Sequence, residues 1–182
     1  MIRNPILFYM TAILSFIMAF MSYRFTTLGM DAAFPEMIGH LTKRGLVLNA
    51  HVISGPLALF LGAMNMIDRR RKKGRVLHRW TGRAYGVSVL VGSVSGLVMA
   101  IGAEGGVKAG FGFGILAILW FVTTVQAIRF AVKRDFKSHR RRMIRSFALT
   151  LAAVTLRIYL PMFMILGEMS YMQASVWIAW LC

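Results

Sequence analysis

Residues 45–67 read GLVLNAHVISGPLALFLGAMNMI, a run of 23 positions without one Asp, Glu, Lys or Arg. A helix needs about 20 mostly apolar residues to cross the hydrocarbon core of a bilayer, so this stretch is long enough to span. Its sequel is opposite in character. Residues 68–83, DRRRKKGRVLHRWTGR, carry eight Lys or Arg against one Asp. Short loops rich in Lys and Arg are retained in the cytoplasm, so the run is predicted to end there.

The same pattern extends in both directions. Four further apolar runs are predicted to span, at Pro5–Tyr23, Ala84–Ala103, Phe111–Val132 and Ser146–Leu166. A second dense block, residues 129–145, again carries eight basic residues and one acid, Asp135. The loop at 24–44 holds three basic residues and two acids, and the loop at 104–110 one of each. Both dense blocks, and the N-terminus with Arg3, therefore belong in the cytoplasm, and five alternating spans satisfy this without conflict. Asn4 and Pro5 suit the N-cap and first position of the first helix. That run is too long, and lacks a small-x-small cleavage site, for a signal peptide. The stretch Gly167–Cys182 reaches only about 24 Å as a helix. It reads as a partial sixth span (168–182), a re-entrant segment or an interfacial one. The expected fold is all-α, a polytopic transmembrane bundle forming one integral membrane domain over residues 1–182.

Composition agrees. The chain is 58% hydrophobic and only 15% charged, with a mean hydropathy of +0.65; soluble domains are nearer a quarter charged. The net charge of +16 does not indicate nucleic acid, because the basic residues sit in two short blocks between apolar runs. Cys182 is the one cysteine, so no intramolecular disulfide forms, and it stands at the wrong position for prenylation. Each half of the chain holds a span, a basic loop with His-Arg and another span, a weak likeness to a duplicated hairpin without sustained identity. No CxxCH, HExxH or Walker A motif and no acidic metal cluster occurs, which leaves hydrolase and ATPase readings unsupported.

The chemistry-bearing residues fall at two depths. In the second span, His51, Gly55, Ala58, Gly62 and Asn65 lie within about 40° of one line on a helical wheel, so His51 is expected to face the bundle. Pro56 is expected to kink the helix just beyond it. The stripe Ser88, Gly92, Gly96 and Ala100 in the third span reads as close helix packing alone. Arg157 lies about nine residues, or roughly 14 Å, from the outer end of the fifth span. Its charge cannot be neutralised by proton loss, and all six acids lie outside the apolar runs. It needs a loop acid folded inward, a lipid phosphate or an anionic ligand, or it snorkels outward beside Glu168. His51, about 9 Å from the outer end of its span, is at a comparable depth. Asn49, Thr155 and Tyr159 are candidate neighbours, and His40 in the outer loop is a weaker one.

His78 and His139 mark the other depth, each at the cytoplasmic start of a span. Two imidazoles at one level on neighbouring helices can ligate haem iron, with propionates on Arg79, Arg83, Arg140 or Arg145. The same residues also suit a polybasic surface for anionic headgroups.

The strings HVISGPLALFLG at 51–62, HRWTGRAYG at 78–86 and HRRRMIRSFALTLAAVTLRIYLP at 139–161 resemble a bacterial family of predicted multi-pass membrane proteins of unknown function. The likeness covers spans two to five and singles out His51, His78, His139 and Arg157. Two departures stand out: Arg142 occupies a position where a tryptophan is expected, and similar proteins continue past AWLC to complete a sixth span. A looser similarity is to four-helix b-type membrane cytochromes with two axial histidines. Two functions follow as expectations: a haem- or quinone-linked electron-transfer protein binding haem b, or a non-enzymatic assembly factor or carrier of lipid or small anions.

Overall fold

The computed structural model describes residues 5–33, 35–68 and 75–182, without the side chains of residues 36, 68 and 75. Arg3, the proposed cap Asn4 and the basic residues 69–73 lie outside the described residues. Five helical segments are long and apolar enough to cross a membrane: Pro5–Leu28, Ile38–Ile67, Val76–Ala100, Gly106–Val132 and Phe136–Leu166. No strand occurs among the described residues. The fold is an all-α polytopic bundle.

The helices are α1 (Pro5–Ser22), two single turns α2 (Phe25–Leu28) and α3 (Met30–Ala33), then α4 (Ile38–Asp68), α5 (Arg75–Ala100), α6 (Gly106–Val132), α7 (Phe136–Thr150), α8 (Ala152–Leu166) and α9 (Tyr171–Leu181). Sequential neighbours pack most extensively: α4 on α5, α5 on α6, and α6 on α7. Since α7 also touches α4, these four close into a ring. Outside it, α1 lies against α4 and α8, and α9 lies against α6 and α8. The exterior is apolar, with Ile13, Phe20, Leu46, Val94 and Ile118 among many exposed large side chains. Such a surface suits lipid as the solvent, where burial within the bundle rests on close packing and internal hydrogen bonds.

Glycines set the closest approaches. A side chain at Gly62 would collide with the rings of Phe147 and Tyr85, and one at Gly112 would meet the Ala179 carbonyl oxygen at 2.7 Å. Gly62 thus lets α7 and α5 close on α4, and Gly112 lets α9 settle on α6. The face predicted for α4 is the packed one: Ala58 is fully buried, and buried Asn65 accepts a 2.8 Å hydrogen bond from Thr81 of α5.

Several local expectations need correction. The break in α4 falls at Arg44 (φ −144°, ψ 43°), and no departure from helical geometry occurs at Pro56. The Arg44 guanidinium donates to the Val98 carbonyl of α5 at 2.7 Å, so an interhelical bond holds the bend. Near Pro56, whose missing N–H deprives the preceding turn of a donor, the hydroxyl of Tyr23, just past α1, donates to the Ile53 carbonyl at 2.9 Å. The residues of the two basic blocks that are described are largely helical, because α5 starts nine residues before Ala84 and α7 ten before Ser146. The fifth apolar run is divided at Leu151, where the bonding slips to a shorter pattern, with the Val154 amide donating to the Leu151 carbonyl at 2.8 Å. The C-terminal segment forms the 11-residue helix α9, opened by a capping box between Ser170 and Gln173. At about 16 Å it spans roughly half a hydrocarbon core.

In the middle of the ring five polar side chains share hydrogen bonds. The Tyr85 hydroxyl lies 2.7 Å from Ser146 Oγ and 3.0 Å from Thr150 Oγ1. Trp120 Nε1 donates to Thr150 Oγ1 at 3.0 Å, and Thr124 Oγ1 lies 2.7 Å from Ser146 Oγ. This network joins α5, α6 and α7. Tyr85→Phe should lower stability in detergent by about 0.5–1.5 kcal/mol, since it removes two bonds between α5 and α7 while Ser146 keeps Thr124 and Thr150 keeps Trp120 as partners. In combination with Thr150→Val the loss should be less than additive, read from thermal unfolding of the four-member mutant cycle.

Candidate functional site

The end of the bundle at which α5 and α7 start is organised from the polar network. His78 stands seven residues before Tyr85, and His139 seven before Ser146. Seven residues are nearly two full turns and about 10 Å of rise. Each histidine therefore returns to the helix face that carries the Tyr85–Ser146 hydrogen bond. Successive spans alternate in direction, so α5 and α7 run the same way and the two histidines sit at one level. His139 Nδ1 lies 2.8 Å from the Ala127 carbonyl of α6. A carbonyl only accepts, so Nδ1 is the donor of this bond. His78 Nδ1 is buried and has no hydrogen-bond partner. Buried polar atoms are nearly always satisfied, so this nitrogen marks a place where the fold alone is incomplete. Arg79, Arg83, Arg140 and Arg145 are all exposed around this end, and the Arg83 guanidinium lies 5.2 Å from the centre of the Trp80 ring.

The start of α7 is fixed by Asp135, whose side chain accepts from the Ser138 amide at 3.0 Å, while its carbonyl accepts from the His139 amide at 3.0 Å. Hydrogen bonds from Ser138, its side chain first and its backbone next, hold the Asp135 carboxyl below the usual aspartate range.

Further candidate residues lie away from that end. His51 Nδ1 donates to the Gly92 carbonyl of α5 at 3.0 Å. A Cβ at Gly96 would meet the His51 ring at 3.1 Å. The small residues of α5 therefore seat an imidazole, and the reading of that stripe as packing alone is incomplete. Arg157 of α8 donates to the Ala153 carbonyl at 2.8 Å. The neighbours expected for Arg157 bond elsewhere: Asn49 to the Gly45 carbonyl, Thr155 to the Ala152 carbonyl, while Tyr159 meets the Phe163 ring edge-on. His40 is buried against Gly102 and does not approach His51, being eleven residues, about 16 Å, away along α4.

Residues 48–182 match the family described as "Predicted membrane protein (DUF2306)". The chain belongs to this family. No curated protein and no solved structure matches it. The match takes in α4 from Leu48 onward and every helix after it, and so contains His51, His78, His139, Arg157 and the polar network. Among the described residues, no cluster of three or more His, Cys, Asp or Glu is placed to hold a metal ion.

Sequence reasoning passed over three features of this family member. Tyr85, Trp120, Thr124, Ser146 and Thr150 went unremarked; the signal was the i, i+4 spacing of Trp120–Thr124 and Ser146–Thr150 within apolar runs. Arg44 and Arg24 were counted only as loop charges, and nothing in their spacing distinguished them from other loop residues.

The cap of α7 should respond to acid with a definite sign. A carboxyl held below its ordinary value of 3.8 contributes stability that is present above that value and lost as the pH falls through the lowered one. Amide exchange at residues 137–139 should accelerate on acidification below pH 3.8, relative to the intrinsic rate, and should already be fast at neutral pH in Asp135→Ala. Unchanged protection in that variant would contradict the capping role.

Proposed function

We propose that the protein is a haem- or quinone-linked electron-transfer protein of the inner membrane, in which His78 and His139 would hold haem b. The observation that carries this reading is the buried, unpartnered Nδ1 of His78 at the level of His139. The residues fit the group. The Ala127 carbonyl fixes the orientation of the His139 ring and raises the basicity of Nε2, the role that a carbonyl commonly plays behind a metal-ligating imidazole. The network at Tyr85 fastens α5 to α7 two turns away, which keeps the two histidines in register. Arg79, Arg83, Arg140 and Arg145 would hold carboxylate groups at the aqueous edge. Bound between the histidines, haem would supply a reversible one-electron couple within reach of a membrane quinone.

In this reading both basic blocks and the N-terminus face the cytoplasm, where the arginines also engage anionic headgroups. Trp80, exposed beneath Arg83, suits the headgroup level.

Protein purified after expression with ample haem should show a sharp b-type alpha band on dithionite reduction. The band should vanish in His78→Ala and in His139→Ala and survive in His40→Ala. A colourless protein would refute the assignment. Orientation has its own test, in a Cys182→Ser background. Val107→Cys should react with an impermeant thiol reagent on intact cells, and Ser138→Cys only after lysis. Val107 is 75% exposed and avoids Gly106, whose φ of 70° disfavours a side chain. The opposite labelling pattern would invert the topology.

A further inference from the structure

His78 and His139 are held in different ways. The His139 ring is tied to α6 by its own bond to the Ala127 carbonyl, and the turn that carries it is capped by Asp135. The His78 ring has no such tie, since its buried Nδ1 lacks a partner. His78 also lies in the first turn of α5, which begins at Arg75. Terminal turns fray, because their first amides have no acceptor within the helix. The neighbouring side chains do not anchor this turn: Val76, Leu77, Arg79 and Trp80 are all exposed. Thr81, three residues on and so on the same face as His78, is the exception. It is 9% exposed, and its hydroxyl donates to Asn65 Oδ1 of α4 at 2.8 Å. The same hydroxyl lies 2.9 Å from the Leu77 carbonyl, in the turn that carries His78. Asn65 is as deeply buried, and its Nδ2 donates to the Leu61 carbonyl at 2.8 Å. Both ends of the amide are thereby committed, and its oxygen is presented to α5. Among the described residues, this is the one hydrogen bond that ties residues 76–81 to another helix. The next along α5 is that of Tyr85, a further turn away.

We infer that Asn65 and Thr81 are positioning residues, whose hydrogen bond keeps His78 turned into the bundle at the level of His139. The inference rests on the haem reading for its purpose: a histidine that is to hold iron needs its place fixed by groups behind it. Losing the bond leaves α5 and its apolar contacts in place and frees the first turn. The His78 side of the pair then loosens first, because His139 keeps both its carbonyl partner and the Asp135 cap.

The test compares the full chain in detergent with Thr81→Val, Thr81→Ser and the combination of Asn65→Leu with Thr81→Val. Thr81→Val strands the Asn65 oxygen, which lowers stability in its own right; the combination removes both partners and strands neither. With haem bound, reduced wild type should not take up carbon monoxide, since two imidazoles leave the iron no open position. Thr81→Val and the combination should take it up, and Thr81→Ser, which keeps the hydroxyl, should behave as wild type. Amides of residues 79–82 donate to the carbonyls of 75–78. They should exchange roughly fivefold faster in Thr81→Val and in the combination, with those of 140–143 in α7 unchanged. A last arm needs no haem. Modification of His78 by diethyl pyrocarbonate, read by mass spectrometry, should accelerate in the same two variants while that of His139 does not. A colourless wild type with this acceleration would end the haem reading and leave the positioning role standing. With haem present, carbon monoxide uptake in the combination no greater than in wild type would overturn the inference. So would equal His78 reactivity in all variants, whether haem is bound or not.

Discussion

The hydrogen-bond network around Tyr85 is the constraint on which the rest of the bundle depends. In hydrocarbon there is no water to satisfy a stranded hydroxyl, so each polar side chain must find a partner inside the protein. Ser146 and Thr124 are fully buried and Tyr85 is 1% exposed, yet all three are bonded. The bonds run between helices and are short, so rotating or sliding α5, α6 or α7 would break several of them together. Apolar contacts with lipid-like side chains on both sides do not discriminate in this way. The network thereby fixes which faces of three helices look inward, and with them the faces that carry His78 and His139.

Close approach is the complementary device. Gly62 admits the ring of Phe147, and Gly92 admits both Ser54 and the edge of Trp120, the residue that also donates to Thr150. The same glycine offers its carbonyl to His51. One position on α5 therefore serves packing, the polar network and the outer histidine at the same time. Placing a β-carbon there would disturb all three.

Charge is distributed in a graded way. The basic blocks stay at the rim, where water and headgroups screen them. Arg44 sits at the break of α4 and bonds to a carbonyl of α5. Arg157 alone lies deep within a predicted span, and its hydrogen bond to Ala153 meets only a fraction of what a guanidinium demands. Structural need explains the first two placements.

The sequence by itself determined the spanning helices and their apolar exterior, because length and hydropathy are local properties that a bilayer reads directly. It also located His51 on the packed face of α4, through spacing that the later contacts at Ala58, Gly62 and Asn65 share, and it showed that Arg157 lacks an acid on its own helix. The bend at Arg44 was not legible, because it depends on a carbonyl 54 residues away on another helix. Nor could spacing pair Tyr85 with Ser146, or His139 with Ala127, since helix register and rotation arise only when the helices pack. Tertiary structure decided those partners. A hydrogen bond between helices needs atoms within about 3 Å, and hydropathy carries no information at that scale.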